Sequence, residues 1–173
     1  MGRMIPATQG GSPVQKHRVL AANDLQYIDG LLTTLGNPTN YINQDGLDFM
    51  TVSEPRIAPW SFTGLPTGRP DEVVLVRERL QFLIFPEDSA MEEFRVAPHT
   101  ETLLINLGIA VVRGDAPFLS DAKLSNFLDF WKGLFFPMTD ARVHFLSSCP
   151  VDLPSQARLL YINRRMVQSY SHA

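Results

Sequence analysis

Residues 25–34 read LQYIDGLLTT, and 84 residues beyond Tyr27-Ile28-Asp29-Gly30 the chain returns to Val111-Val112-Arg113-Gly114. Each stretch is a β-favouring run closed by a glycine, the mark of a strand that bends sharply. The order of residues around them is kept. Val19-Leu20 match Leu103-Leu104 at the same spacing. At a spacing of 86, Phe49 matches Phe135, Glu54 matches Asp140, Arg56 matches Arg142 and Ile57 matches Val143. Further on, Val73-Val74 match Leu159-Leu160, Val76 matches Ile162, Arg79 matches Arg165 and Leu80 matches Met166. Apolar-for-apolar matches arise readily by chance between β-rich segments. The glycine and arginine pairs do not, so the pattern points to an internal duplication.

Working outward, short apolar runs punctuated by Gly, Pro, Asn and Asp predict strands over Arg18–Ala22, Leu25–Thr34, Leu47–Val52, Arg56–Phe62, Glu72–Arg77 and Leu80–Phe85. A second series covers Glu101–Leu107, Ile109–Gly114, Gly133–Met138, Ala141–Leu146, Ala157–Asn163 and Met166–Tyr170. Thirteen prolines, spread through the chain, exclude long helices. One short helix is predicted over Ser120–Trp131. Leu124, Phe127, Leu128 and Trp131 form one apolar stripe there, Ser120 and Asp121 suit an N-cap, and Gly133 suits the stop. The expected organisation is a flexible arm at 1–16, a first unit at 17–86, an acidic linker at 87–98 and a second unit at 99–170. Each unit holds about five strands, and closing so small a sheet into a barrel would remove its edges.

Composition bounds the function. Of 173 residues, 45% are hydrophobic, enough for a core, and the net charge of −3 excludes a strongly basic nucleic-acid module. A single cysteine, Cys149, excludes a disulfide scaffold. No apolar run is long enough for a membrane helix, and Met1 to Lys16 lack the apolar stretch of a secretory signal, so a cytoplasmic protein without membrane insertion is expected.

Catalytic motifs are lacking: there is no P-loop, no nucleophile elbow and no zinc-protease helix. His17, His99, His144 and His172 do not have metal-ligand spacing, so neither a metal nor another cofactor is expected. His144 alternates with Val143 and Phe145 and should face solvent. Cys149 has no neighbouring base apart from His144 and reads as a turn thiol. Asp115, Asp121, Asp129 and Asp140 suggest a carboxylate set, but Asp121 as a cap and Asp140 as a turn residue are simpler readings. Two groups remain as candidates. Arg77, Arg79, Arg164 and Arg165 fall at the same place in both units and would make an anion or nucleic-acid patch if the units stood side by side. Trp60, Phe62, Phe130 and Trp131 are large for a small barrel and suit a protein-contact patch.

The stretch Val74-Leu75-Val76-Arg77-Glu78-Arg79-Leu80-Gln81-Phe82-Leu83 resembles the second motif of Sm-like proteins, and Leu160-Tyr161-Ile162-Asn163-Arg164-Arg165-Met166-Val167 offers its counterpart. Gly30 and Gly114 are similar to the glycine of that family's bent second strand. The resemblance implies a mostly β chain of two tandem five-stranded Sm-like barrels, with the short helix in the second. It departs from the family where Glu78 and Arg165 stand in place of the glycine after arginine. The family's RNA-holding loop also lacks a clean equivalent, which weakens the RNA-binding implication. Gly114, Leu124-Ser125-Asn126-Phe127-Leu128, Thr139-Asp140-Ala141 and Asn163-Arg164 also resemble an uncharacterised bacterial domain family. The function expected is therefore non-catalytic, a scaffold or assembly module acting by protein–protein contact and self-association, with three chains able to close a ring of six units. The alternatives are an Sm-like RNA- or DNA-binding protein using the four arginines, and an enzyme with an unrecognised site.

Overall fold

The computed structural model describes residues 13–87, 90–91, 94–95 and 97–173. Among the described residues there are ten strands: β1 Val14–Asn23, β2 Gln26–Leu35, β3 Phe49–Pro59, β4 Glu72–Val76, β5 Leu80–Ile84, β6 Thr100–Asn106, β7 Ala110–Pro117, β8 Phe135–Phe145, β9 Gln156–Asn163 and β10 Ser169–His172. They form one antiparallel sheet in the order β10-β6-β7-β8-β9-β5-β1-β2-β3-β4. The sheet is not closed. β4 does not pair with β5; β5 pairs instead with β9, so the expected pair of closed barrels is not what the hydrogen bonding draws. Strand β1 begins inside the segment expected to be a flexible arm, while residues 1–12 and parts of the 87–98 linker lie outside the described residues.

The order within the first five strands, β5-β1-β2-β3-β4, recurs within the second five as β10-β6-β7-β8-β9. The registers correspond as well. Val19 faces Gly30 and Leu103 faces Gly114; Asp29 faces Arg56 and Arg113 faces Arg142; Phe49 faces Val76 and Phe135 faces Asn163. The two glycines stand where the bent strand crosses its neighbour closely. A Cβ on Gly30 would lie 2.5 Å from Val52 Cγ1 and 3.0 Å from the Ser53 carbonyl oxygen, and one on Gly114 would lie 3.0 Å from Ala141 Cα and from the Thr139 carbonyl oxygen. A side chain there would have to push backbone aside.

The twelve segments expected become ten because two pairs fuse. Leu47–Val52 and Arg56–Phe62 run together as β3, and Gly133–Met138 and Ala141–Leu146 as β8. The apparent breaks are single left-handed residues, Glu54 at φ 52° and Asp140 at φ 48°. Each faces a register shift, between Asp29 and Leu31 or between Arg113 and Asp115, so the chain bulges and continues. Left-handed backbone suits Asp better than Glu. Glu54→Gly is therefore expected to raise stability by about 0.5–1 kcal/mol, and Asp140→Gly by less; paired thermal melts check the order.

The helix expected over Ser120–Trp131 is shorter. A 3-10 turn at Leu124–Asn126 runs into one α turn at Phe127–Phe130, and Lys123, not Ser120 or Asp121, stands at its start with no side-chain cap. The first half has its own helix, Pro38–Ile42, at the corresponding place between β2 and β3. Asn37 caps it by accepting from the Thr39 N–H at 2.8 Å, with proline at the first position.

The core forms two clusters, and neither stops at the boundary between the halves. Phe82 and Ile84 of β5, with Leu20 and Trp60, pack among Leu103, Val112, Phe136 and Leu160. Phe135, Leu159 and Tyr161 of the second half pack with Ile28, Met50, Leu75 and Leu83 of the first. Among the described residues, no helix is long and apolar enough to cross a membrane.

Candidate functional site

The four candidate arginines are engaged in different ways. Arg77 Nη1 donates to the carbonyls of Ile42 at 3.2 Å and Gln44 at 2.8 Å, holding the end of the Pro38–Ile42 helix. Arg164 does the same in the second half, donating from Nη1 to the Leu128 carbonyl at 3.2 Å and to the Trp131 carbonyl. These two are the true counterparts, each the first residue of the 3-10 turn after β4 or β9. The residue pattern sets Arg79 against Arg165, one residue out of step; in the fold Arg165 corresponds to Glu78. Arg165 pairs with Glu78 across the two halves, and Arg79 is exposed beside β4. Two of the four guanidiniums are committed to loop backbone and a third to a carboxylate.

The aromatic candidates also separate. Trp60 is 1% exposed, in the core. Its indole N–H donates to the Asn23 carbonyl at 2.8 Å, and its ring lies 6.0 Å from Phe145 and 6.4 Å from Tyr27. It is therefore a packing residue, not a contact patch. Phe62 is exposed at 63% and Phe130 at 54%. Trp131 is half-buried, donating from Nε1 to the Phe135 carbonyl at 2.9 Å. Phe118, Phe127, Phe130 and Trp131 line an apolar cavity of about 260 Å³.

Among the remaining candidates, His144 is exposed and Val143 buried, in line with strand alternation. Burial pushes the Cys149 thiol above its usual range, the reverse of nucleophile activation, and its Sγ–H faces the Val151 carbonyl at 3.6 Å. His99 and His172 flank the Glu101 carboxylate at 3.3 and 3.8 Å. No group of residues able to hold a metal ion occurs among the described residues.

What the structure does build is a seam and two open edges. At the seam, Phe82 faces Ile162, Leu83 faces Tyr161 and Ile84 faces Leu160. Asn163, fully buried, locks it: Nδ2 donates to the carbonyls of Glu78 at 3.0 Å and Leu80 at 2.8 Å, while Oδ1 accepts from the Arg165 N–H at 3.0 Å. Tyr161 hydrogen-bonds Thr39 through its hydroxyl, and burial pushes its phenol up to about 12. Asn43 bridges from the first half, accepting from the Phe135 N–H at 2.8 Å and donating to its carbonyl at 3.0 Å. These polar residues carry no sequence signal, because a single Asn or Tyr in a strand has no motif and only the register brings the partners together.

The free ends of the sheet are β4 and β10. Their register counterparts are the two strands of the seam. β4 corresponds to β9, and β10 corresponds to β5: Ala22 faces Phe82 as Asn106 faces Ser169, and Ala21 faces Leu83 as Ile105 faces Tyr170. A groove of about 440 Å³ runs along β4, lined by Leu25, Val73, Val74, Val76 and Arg79 among others. Comparison with protein-family models, curated proteins and solved structures finds no match.

Proposed function

We propose that this chain is two tandem Sm-like units fused in one polypeptide, and that it works as a non-catalytic assembly module whose sheet edges join further copies head to tail. The observation that carries this reading is a difference in cover between equivalent strands. On β9, Tyr161 is 1% and Asn163 0% exposed, with first-half residues such as Thr39, Phe85 and Leu80 against them; on β4 the corresponding Val74 and Val76 are 56% and 47% exposed. Phe49, facing Val76, is exposed too. An apolar, unpaired edge is a template for another strand. The strand whose geometry fits is β10 of a second copy, since β10 is to β6 as β5 is to β1. Carrying the seam's register over sets Ser169 against Leu75, Tyr170 against Val74 and Ser171 against Val73.

Such a contact joins unlike surfaces, so it closes into a ring or runs on as a fibre according to the rotation per step. The Sm-like resemblance favours a ring, and three chains complete six units. Light scattering is expected to give three times the 19.4 kDa chain mass. Val74→Lys with Val76→Lys, both on the exposed edge, is expected to give a folded monomer. A wild-type chain that stays monomeric at tens of micromolar, or a double-lysine variant with undiminished mass, overturns the proposal.

A further inference from the structure

The outward face of the second half carries a charge imbalance that the first half does not. In the first half, Asp29 faces Arg56 directly across β2 and β3, and accepts two hydrogen bonds from Arg18, at 3.0 and 2.8 Å. That carboxylate holds the Arg18 guanidinium, and the contact raises the Arg18 pKa further, with Arg56 at the facing position. At the matching positions of the second half, Arg113 faces Arg142. Both are exposed, and among the described residues neither has a hydrogen-bond or ion-pair partner. Arg158 of β9 lies beside Arg142 and Gln156 along a shallow hollow of about 310 Å³, with Asp140 as its one carboxylate. His144 is two residues along β8 from Arg142, on the same face.

Like charges directly opposite on two strands repel, at a cost the first half avoids. Facing Cα atoms in an antiparallel ladder are about 4.5–5.5 Å apart, so two arginine side chains from such a pair reach one oxyanion. We propose that Arg113 and Arg142 form a binding site for a phosphate dianion, with the ligand standing where the Asp29 carboxylate stands in the first half. A dianion balances both guanidiniums, whereas one carboxylate leaves a charge over. Planar forks also match the oxygens of a tetrahedral phosphate. The site does not depend on the sheet edges.

The test is thermal unfolding at low ionic strength, with inorganic phosphate, O-phosphoserine or acetate added at matched ionic strength. The wild-type midpoint is expected to rise saturably with phosphate and not with acetate. A response to inorganic phosphate makes the free ion sufficient; a response confined to O-phosphoserine assigns a phosphorylated side chain as the source. Arg113→Asp recreates the Asp29–Arg56 arrangement, so it is expected to fold at least as well as the wild type and to lose affinity for the responding phosphate by at least tenfold. Arg142→Gln is expected to lose it without the stability gain. The monomeric Val74→Lys/Val76→Lys variant is expected to keep the response, which separates this site from edge assembly. No response to either phosphate compound, or an Arg113→Asp response equal to the wild type, overturns the proposal.

Discussion

An Asn163→Leu chain is expected to unfold at markedly lower denaturant, with about 3–5 kcal/mol of stability lost. The leucine fills the space, yet three backbone groups that Asn163 serves lose their partner: the Glu78 and Leu80 carbonyls and the Arg165 N–H. Each buried polar group left unsatisfied costs about 1–3 kcal/mol, and against a total of about 5–15 kcal/mol for a domain this is a large share. Asn163→Asp separates the contributions. It keeps the acceptor toward Arg165 and turns two attractive contacts with carbonyl oxygens into repulsive ones, so it is expected to be at least as damaging. Equilibrium denaturation followed by circular dichroism measures both, and a loss below about 1 kcal/mol for Asn163→Leu would show that the seam relaxes around the change.

Trp60→Ala is expected to cost a similar amount, about 3–5 kcal/mol. The indole fills the join between Tyr27 of the first half and Phe145 of the second, and its N–H is the partner of the Asn23 carbonyl. Trp60→Phe keeps much of the volume but strands that carbonyl, so it is expected to fall between the wild type and alanine. Thermal and denaturant unfolding check the order. A Trp60→Ala chain as stable as the wild type would mean that the two halves do not depend on this contact.

Much of the strand layout can be read from residue pattern alone, because alternation and turn residues are local signals. The glycine match between Gly30 and Gly114 points to the bent strands, and the register then sets both against the same strand residues, Val19 and Leu103. Local signals also mislead. Glu54 and Asp140 look like strand ends, because sequence does not distinguish a turn from a one-residue bulge, and the continuous pairing on either side is a tertiary fact. Ser120 and Asp121 carry cap chemistry, but the chain enters its helical turn only after Lys123. The arginines mislead for another reason. Charge and position suggest an exterior patch, while the loop carbonyls that take up Arg77 and Arg164 have no signature in the sequence. Arg113 and Arg142 were visible as residues; that they face each other is knowledge only of the register.

The seam has a consequence for biosynthesis. Strand β5 is buried along its whole length, and one of its edges pairs with β9. From Ile84 to Asn163 the ribosome must add 79 residues, which at about 5–20 residues per second takes roughly 4–16 s. Through that interval the emerging first half presents Leu80, Phe82, Leu83 and Ile84 on a strand with one free edge. On a polysome, a neighbouring nascent chain shows the same strand at the same moment, and β9 of a finished chain can take either one. Synthesis rate and chaperone occupancy, more than final stability, then govern how much of the product is correctly paired within one chain and how much is exchanged between two.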